Sequence, residues 1–300
     1  MIIVEFLYLP FLDTSADRNI KPTELLSVDN FTDDEIENKV EEENQGKSED
    51  KKEETVNPEE QDPATPTPPE DGYVVVGYAT YWENTMPDPS LLTHINYAFA
   101  HIKSDFESLD IKNEERLKRI AGLKKTKPDL KVLLSVGGWG AGNFSEMAAD
   151  ENHRRNFCKN CLDAVKKHGL DGIDIDWEYP TQNSAGISYS PDDTKNFTLL
   201  MRDLRKALGS KRLLTIATVA SGEYIDFPSC IKYLDFVNVM AYDMGNPPVH
   251  HAPLYSSPIT GWMSTSKAIE SHLQKGIPAR KLVMGMPFYG RGPKNYDYYH

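Results

Sequence analysis

Asp171-Gly172-Ile173-Asp174-Ile175-Asp176-Trp177-Glu178-Tyr179-Pro180 sets acids at alternate positions of an apolar run. Successive side chains of a strand point to opposite faces, so Asp174, Asp176 and Glu178 share one face. Ile173, Ile175 and Trp177 share the other, and Trp177 is expected to pack against a helix. A short Ile-rich run stopped by proline reads as a buried strand rather than a helix. Buried carboxyls are costly to keep, so three in a row need partners or a chemical task. A calcium site or a solvated strand face is the plainer alternative, but the ten-residue string is more specific than an acidic cluster.

Similar apolar, β-branched runs recur at 74–80, 94–100, 131–138, 172–178, 213–220, 236–243 and 281–290. Their near-continuous hydrophobicity fits parallel strands covered on both faces. Helical periodicity appears between them at 114–123, 151–168, 197–208 and 264–274, with Gly209 stopping the third of these. Strand–helix alternation implies right-handed βαβ units. That leaves a doubly wound sheet or a barrel, although no glycine-rich phosphate loop follows the first strand.

The acidic string matches the pattern D-G-x-D-x-D-x-E and resembles the catalytic strand of family 18 glycoside hydrolases, the chitinases. Lys131-Val132-Leu133-Leu134-Ser135-Val136-Gly137-Gly138-Trp139 is similar to the family's third strand, with its S-x-G-G sequence. Met240-Ala241-Tyr242-Asp243 is similar to the M-x-Y-D of the sixth strand, and 285–291 (GMPFYGR) to the seventh. Asn96-Tyr97-Ala98-Phe99-Ala100 and Gly77-Tyr78-Ala79-Thr80-Tyr81-Trp82 fit the second and first strands. The resemblance spans about residues 73–291 and implies a (β/α)8 TIM barrel, whose chemistry sits at the C-terminal ends of its strands. Only 292–300 follow Arg291, too few for another helix and strand. The expectation is therefore an incomplete barrel of about seven strands, with unpaired edges between the first and seventh.

The resemblance also implies the roles. Glu178 would be the general acid and later the base. Asp176 would orient the substrate's 2-acetamido group, with Asp174 behind it as a coupled carboxyl. Tyr242 would hold the acetamido oxygen in line for attack. Asp176 and Glu178 are about 6.6 Å apart along a strand, a spacing that by itself hints at inversion. The family instead uses substrate assistance with net retention. Tyr78, Trp82, Phe99, Gly138, Trp139, Tyr179, Met240, Asp243, Tyr289 and Arg291 are the candidate substrate-binding residues. The implied reaction is endo-hydrolysis of chitin or N-acetylglucosamine oligosaccharides, without metal or cofactor. Cleavage of N-glycans and a non-catalytic chitin-binding lectin are the competing readings, and the intact Glu178 disfavours the lectin.

The net charge of −13 is unevenly placed. Residues 32–71 hold 16 acidic and 4 basic side chains, whereas 72–300 hold 25 and 27. The globular part is thus near neutral and suits a neutral ligand rather than nucleic acid. Residues 1–71 read as an N-terminal tail with a disordered acidic and proline-rich linker, dispensable for stability, ahead of a catalytic domain at 72–300. The apolar start, residues 1–12, contains Glu5 and lacks a positive n-region. It is too short to span a membrane, and an extracellular or cell-surface monomer is expected. His250-His251 reads as a solvated loop. Cys158, Cys161 and Cys230 read as buried small apolar residues rather than a disulfide or zinc set.

Overall fold

The computed structural model describes residues 3–6 and 73–292, with side chains for the latter. One compact unit comprises Met1–Leu9 with Pro68–His300, and a second Pro10–Thr67. The second unit lies outside the described residues, and with it nearly all of the expected linker.

The sheet contains strands β1 (Ile3–Phe6), β2 (Val75–Thr80), β3 (His94–Ile102), β4 (Leu109–Ile111) and β5 (Lys131–Gly137). It continues with β6 (Gly172–Asp176), β7 (Leu213–Val219), β8 (Phe236–Met240) and β9 (Leu282–Pro287). Helices α1 (Glu114–Gly122), α2 (Phe144–Ala149), α3 (Glu151–His168), α4 (Asp193–Leu208), α5 (Phe227–Cys230) and α6 (Thr265–Gln274) lie between them. β2, β3, β5, β6, β7, β8 and β9 pair in parallel in that order. These are the seven strands read from the sequence, and they form the incomplete (β/α)8 barrel. β4 is a short antiparallel addition to β3.

The edges of β2 and β9 are not left open, contrary to the expectation. β1 pairs in parallel with both, setting Ile3 against Val75 and Met284, and Phe6 against Tyr78 and Pro287. Parallel neighbours need a crossover of a dozen or more residues, and residues 7–74 are more than long enough to return from β1 to β2. Part of the segment read as a tail therefore belongs to the sheet.

The strands form where hydrophobicity is continuous because both of their faces are covered. One face packs under the helices in a large cluster that includes Ile173, Ile175 and Trp177. Trp177 stacks on Phe144 of α2 at 5.3 Å and lies 6.1 Å from Phe197 of α4. The barrel interior holds a smaller cluster with Val76, Tyr78, Phe99, Met240 and Val283. Helix ends follow local chemistry. The Asp150 side chain accepts from the Asn152 and His153 amides at the start of α3, and Gly169 ends that helix at φ 64°. All three cysteines are buried and free, Cys158 and Cys161 on α3 and Cys230 on α5.

Because β1 bonds to a strand on either side, removing residues 1–9 is expected to lower the melting temperature by about 4 °C or more. A calorimetric scan checks this, and an unchanged transition would show that β1 contributes nothing to the sheet.

Candidate active site

Asp171, the first acid of the motif, lies at the entry to β6. Its Oδ2 accepts from the Val132 amide at 2.8 Å and from Lys124 Nζ at 2.9 Å, which ties β6 to β5. Asp174, mid-strand, is wholly buried. Its Oδ2 accepts from Tyr78 Oη at 2.9 Å and Ser135 Oγ at 2.8 Å, and its Oδ1 from Thr215 Oγ1 at 2.5 Å and Asn238 Nδ2 at 3.2 Å. The donors come from β2, β5, β7 and β8. Burial pushes this carboxyl's pKa up, and the four hydrogen bonds pull against it.

Asp176 ends β6, and its Oδ1 accepts no hydrogen bond among the described residues. Burial raises its pKa well above the usual range, reinforced first by the Glu178 charge and then by Asp174. Glu178 stands two residues beyond the strand and is 9% exposed. Burial lifts its carboxyl to about 7, aided by the charge of Asp243 and opposed by a hydrogen bond from Tyr179. Both carboxyls line a cleft of about 490 Å³.

The β5 end fixes one wall. Gly137 and Gly138 have φ of 129° and 93°, where side chains are strained. A Cβ on Gly137 would lie 1.9 Å from the Asp176 carbonyl oxygen, and one on Gly138 would lie 2.9 Å from the Phe99 ring. The Gly138 amide donates to that same Asp176 carbonyl at 2.9 Å. The turn delivers Trp139, which is 54% exposed and meets Tyr179 edge-on at 6.3 Å.

The opposite wall follows β8 and β9. Tyr242 meets Tyr289 edge-on at 6.2 Å. Asp243, at φ 55°, accepts from Arg291 Nε at 2.5 Å and has His251 Nδ1 3.4 Å away. Burial alone would raise the Asp243 pKa, but the Arg291 and Tyr289 hydrogen bonds and the Arg291 and His251 charges outweigh it and hold it low. A lowered carboxyl thus shares the cleft with a raised one, each shifted by its own surroundings.

Of the residues singled out in the sequence, Asp176, Glu178, Phe99, Trp139, Tyr179, Met240, Tyr242, Asp243, Tyr289 and Arg291 line the cleft. Asp174 and Tyr78 do not. Tyr78 is 4% exposed, and its Oη donates to Asp174 Oδ2. Gly138 acts through its backbone. Trp82 packs edge-on against Tyr81 at 4.8 Å and stands outside the cleft. His251, read as part of a solvated loop, is drawn against Asp243 and Tyr289. Val219, Ala220, Met244, Asn246 and Trp262 also line the cleft. No periodic or charged pattern marks them in the sequence, since β7 and the following loops bring them in. Among the described residues no group of three or more His, Cys, Asp or Glu could hold a metal ion.

Removing the Asp243 charge should let Glu178 ionise more readily. Asp243→Asn is therefore expected to move the Glu178 midpoint from about 7 toward lower pH, though not to the free value, because burial is the larger cause. Carboxyl-carbon NMR titration reads this, and a midpoint that stays put or rises would contradict the electrostatic account.

A family model for glycosyl hydrolases family 18 matches residues 74–298. Chitinase A1 of Niallia circulans is 32% identical, covering 74% of this chain and 43% of that protein. Chitotriosidase-1 of Mus musculus is 37% identical, covering 68% and 48%. The chain thus spans about half the length of these curated relatives. The chitinase domain of the spore coat protein CotE from Clostridium difficile superposes with a TM-score of 0.70 at 31% identity, over 79% of this chain and 70% of that one. A family 18 N-acetylglucosaminidase from Paenibacillus barengoltzii gives 0.66 at 39% identity, over 73% and 69%. With motif order, fold and cleft all in agreement, the chain belongs to family 18 of the glycosyl hydrolases.

Proposed function

We propose that this chain carries the catalytic machinery of an endo-acting chitinase that cuts β-1,4-linked N-acetylglucosamine polymers with retention. The observation that carries the reading is the pairing, in one cleft, of Glu178 raised to about 7 with Asp176, whose Oδ1 has no hydrogen-bond partner among the described residues. An acid that keeps its proton near neutrality can give it to a leaving glycosidic oxygen and later take one from water. A buried acceptor with no partner suits an acetamido N–H, and a carboxylate there stabilises the positive charge that develops as the acetamido oxygen attacks the anomeric carbon. Tyr242, which lines the same cleft, would donate to that oxygen. Asp174, held by four donors, fixes the position of β6 beneath Asp176.

Aromatic faces at Trp139 and Tyr179 suit the apolar faces of sugar rings and order few torsions on binding. The near-neutral balance of residues 72–300 suits an uncharged polymer. The names of the relatives support chitin over N-glycans. The intact Glu178 supports an enzyme over a lectin. Among the described residues no helix is long and apolar enough to cross a membrane, and we place the activity on extracellular or cell-surface chitin.

Glu178→Gln keeps the shape of the side chain and removes the proton donor. Hydrolysis of N-acetylglucosamine hexamer is expected to fall by about 10²–10⁴-fold while binding persists. A variant retaining a tenth of the activity would remove Glu178 from the role. Substrate assistance is tested separately with a cyclic thiazoline that mimics the intermediate. It should inhibit competitively, and an active chain indifferent to the compound would exclude attack by the acetamido oxygen.

A further inference from the structure

The loop between β8 and α6 carries large apolar side chains in water. Leu254, Tyr255, Ile259 and Trp262 are 57%, 70%, 59% and 63% exposed. Exposure of this kind is unfavourable unless something covers it. Trp262 differs from the other three because it also lines the cleft.

The base beneath Trp262 is fixed. Its neighbours Thr260 and Met263 are 3% and 7% exposed. The Thr260 hydroxyl accepts from the Ser257 amide at 2.7 Å and donates to the Ser257 carbonyl at 2.9 Å. The Thr265 and Ser266 amides donate to the Pro253 and Leu254 carbonyls at 2.8 and 3.0 Å. Lys267 Nζ caps the Trp262 carbonyl at 3.0 Å. Gly261, at φ 70°, packs so closely that a Cβ there would lie 3.1 Å from Val249. An exposed indole on an anchored turn is a preorganised surface, which lowers the entropy lost when a ligand settles on it.

We propose that Trp262 is a sugar-binding platform that sets preference for longer N-acetylglucosamine chains. It would take a ring of the polymer away from the cleaved bond, on the side of the cleft formed by the loop after β8. The proposal rests on the chitinase reading for its ligand but not on catalysis. Trp262 carries no group that could transfer a proton to the substrate, so its contribution lies in binding rather than in the chemical step. Leu254, Tyr255 and Ile259 are exposed on the same loop.

Calorimetric binding of N-acetylglucosamine hexamer and dimer to the full chain, with and without Trp262→Ala, tests this. Hot-spot truncations commonly cost tenfold or more, ~1.4 kcal/mol for each factor of ten. The Ala variant is expected to weaken the hexamer about tenfold and the dimer less than about twofold. In turnover it should raise KM for the hexamer with kcat nearly unchanged. Trp262→Phe should recover most of the loss and Trp262→Leu little of it, because the flat face is what counts. Equal hexamer affinity in the original and Ala chains would overturn the platform and leave the chitinase reading standing. Hexamer binding that needs Trp262, in a chain that never cleaves the hexamer, would uphold the platform and sink the catalytic reading. A parallel loss for hexamer and dimer would also overturn it, since Trp262 would then serve the cleft as a whole.

Discussion

The Asp174 carboxylate is the interaction on which the site depends. It lies in the barrel interior and takes hydrogen bonds from Tyr78, Ser135, Thr215 and Asn238, which sit on four different strands. A buried charge is tolerable only with its lone pairs satisfied. Here one carboxylate satisfies four donors at once. Losing it would take the acceptor from the Ser135 and Thr215 hydroxyls, and an unpaired buried donor costs about 1–3 kcal/mol. The network therefore fixes the register and approach of the strands that carry the rest of the site. Asn238 also donates to Tyr78 Oη at 3.1 Å, which closes the network across the barrel.

The second constraint is steric. β5 and β6 approach at Gly137 so closely that no side chain fits over the Asp176 carbonyl. Gly138 then turns the chain while leaving room for the Phe99 ring. The same pair of glycines thus sets the backbone beneath Asp176 and projects Trp139 into the cleft. Packing outside the barrel completes the clamp, with Trp177 held between Phe144 and Phe197. Alternation along one strand makes these effects inseparable. The apolar face anchors β6 under α2 and α4, and the acidic face is thereby held still.

Electrostatics then divides the carboxyls by their surroundings. Asp174 has donors, Asp243 has Arg291, Tyr289 and His251, and Asp176 and Glu178 have burial and like charge. Burial and neighbouring like charge push the pKa values of Asp176 and Glu178 up, whereas the Arg291 and Tyr289 hydrogen bonds hold that of Asp243 down.

The sequence alone determined the strand face shared by Asp174 and Asp176, because a period of two is a property of the extended backbone, whereas Glu178 stands two residues past the strand's end. It determined seven strands and the helix 151–168 for a similar reason, since burial on both faces or on one stripe writes itself into residue order. It located Glu178, Trp139 and Tyr242 through motifs on adjacent residues. It did not distinguish Tyr78 as a support from Tyr78 as a wall, because both uses ask for the same aromatic residue in a buried strand. The pairing of Asp243 with Arg291 and His251 spans separations no periodicity records. Trp262 reaches the cleft only through the path of its loop, and Ile3–Phe6 joins β2 and β9 only through pairing across residues 7–74. Contacts between distant segments are set by which strand edges and cavity walls are left to be covered, and that is known only once the rest of the chain has folded.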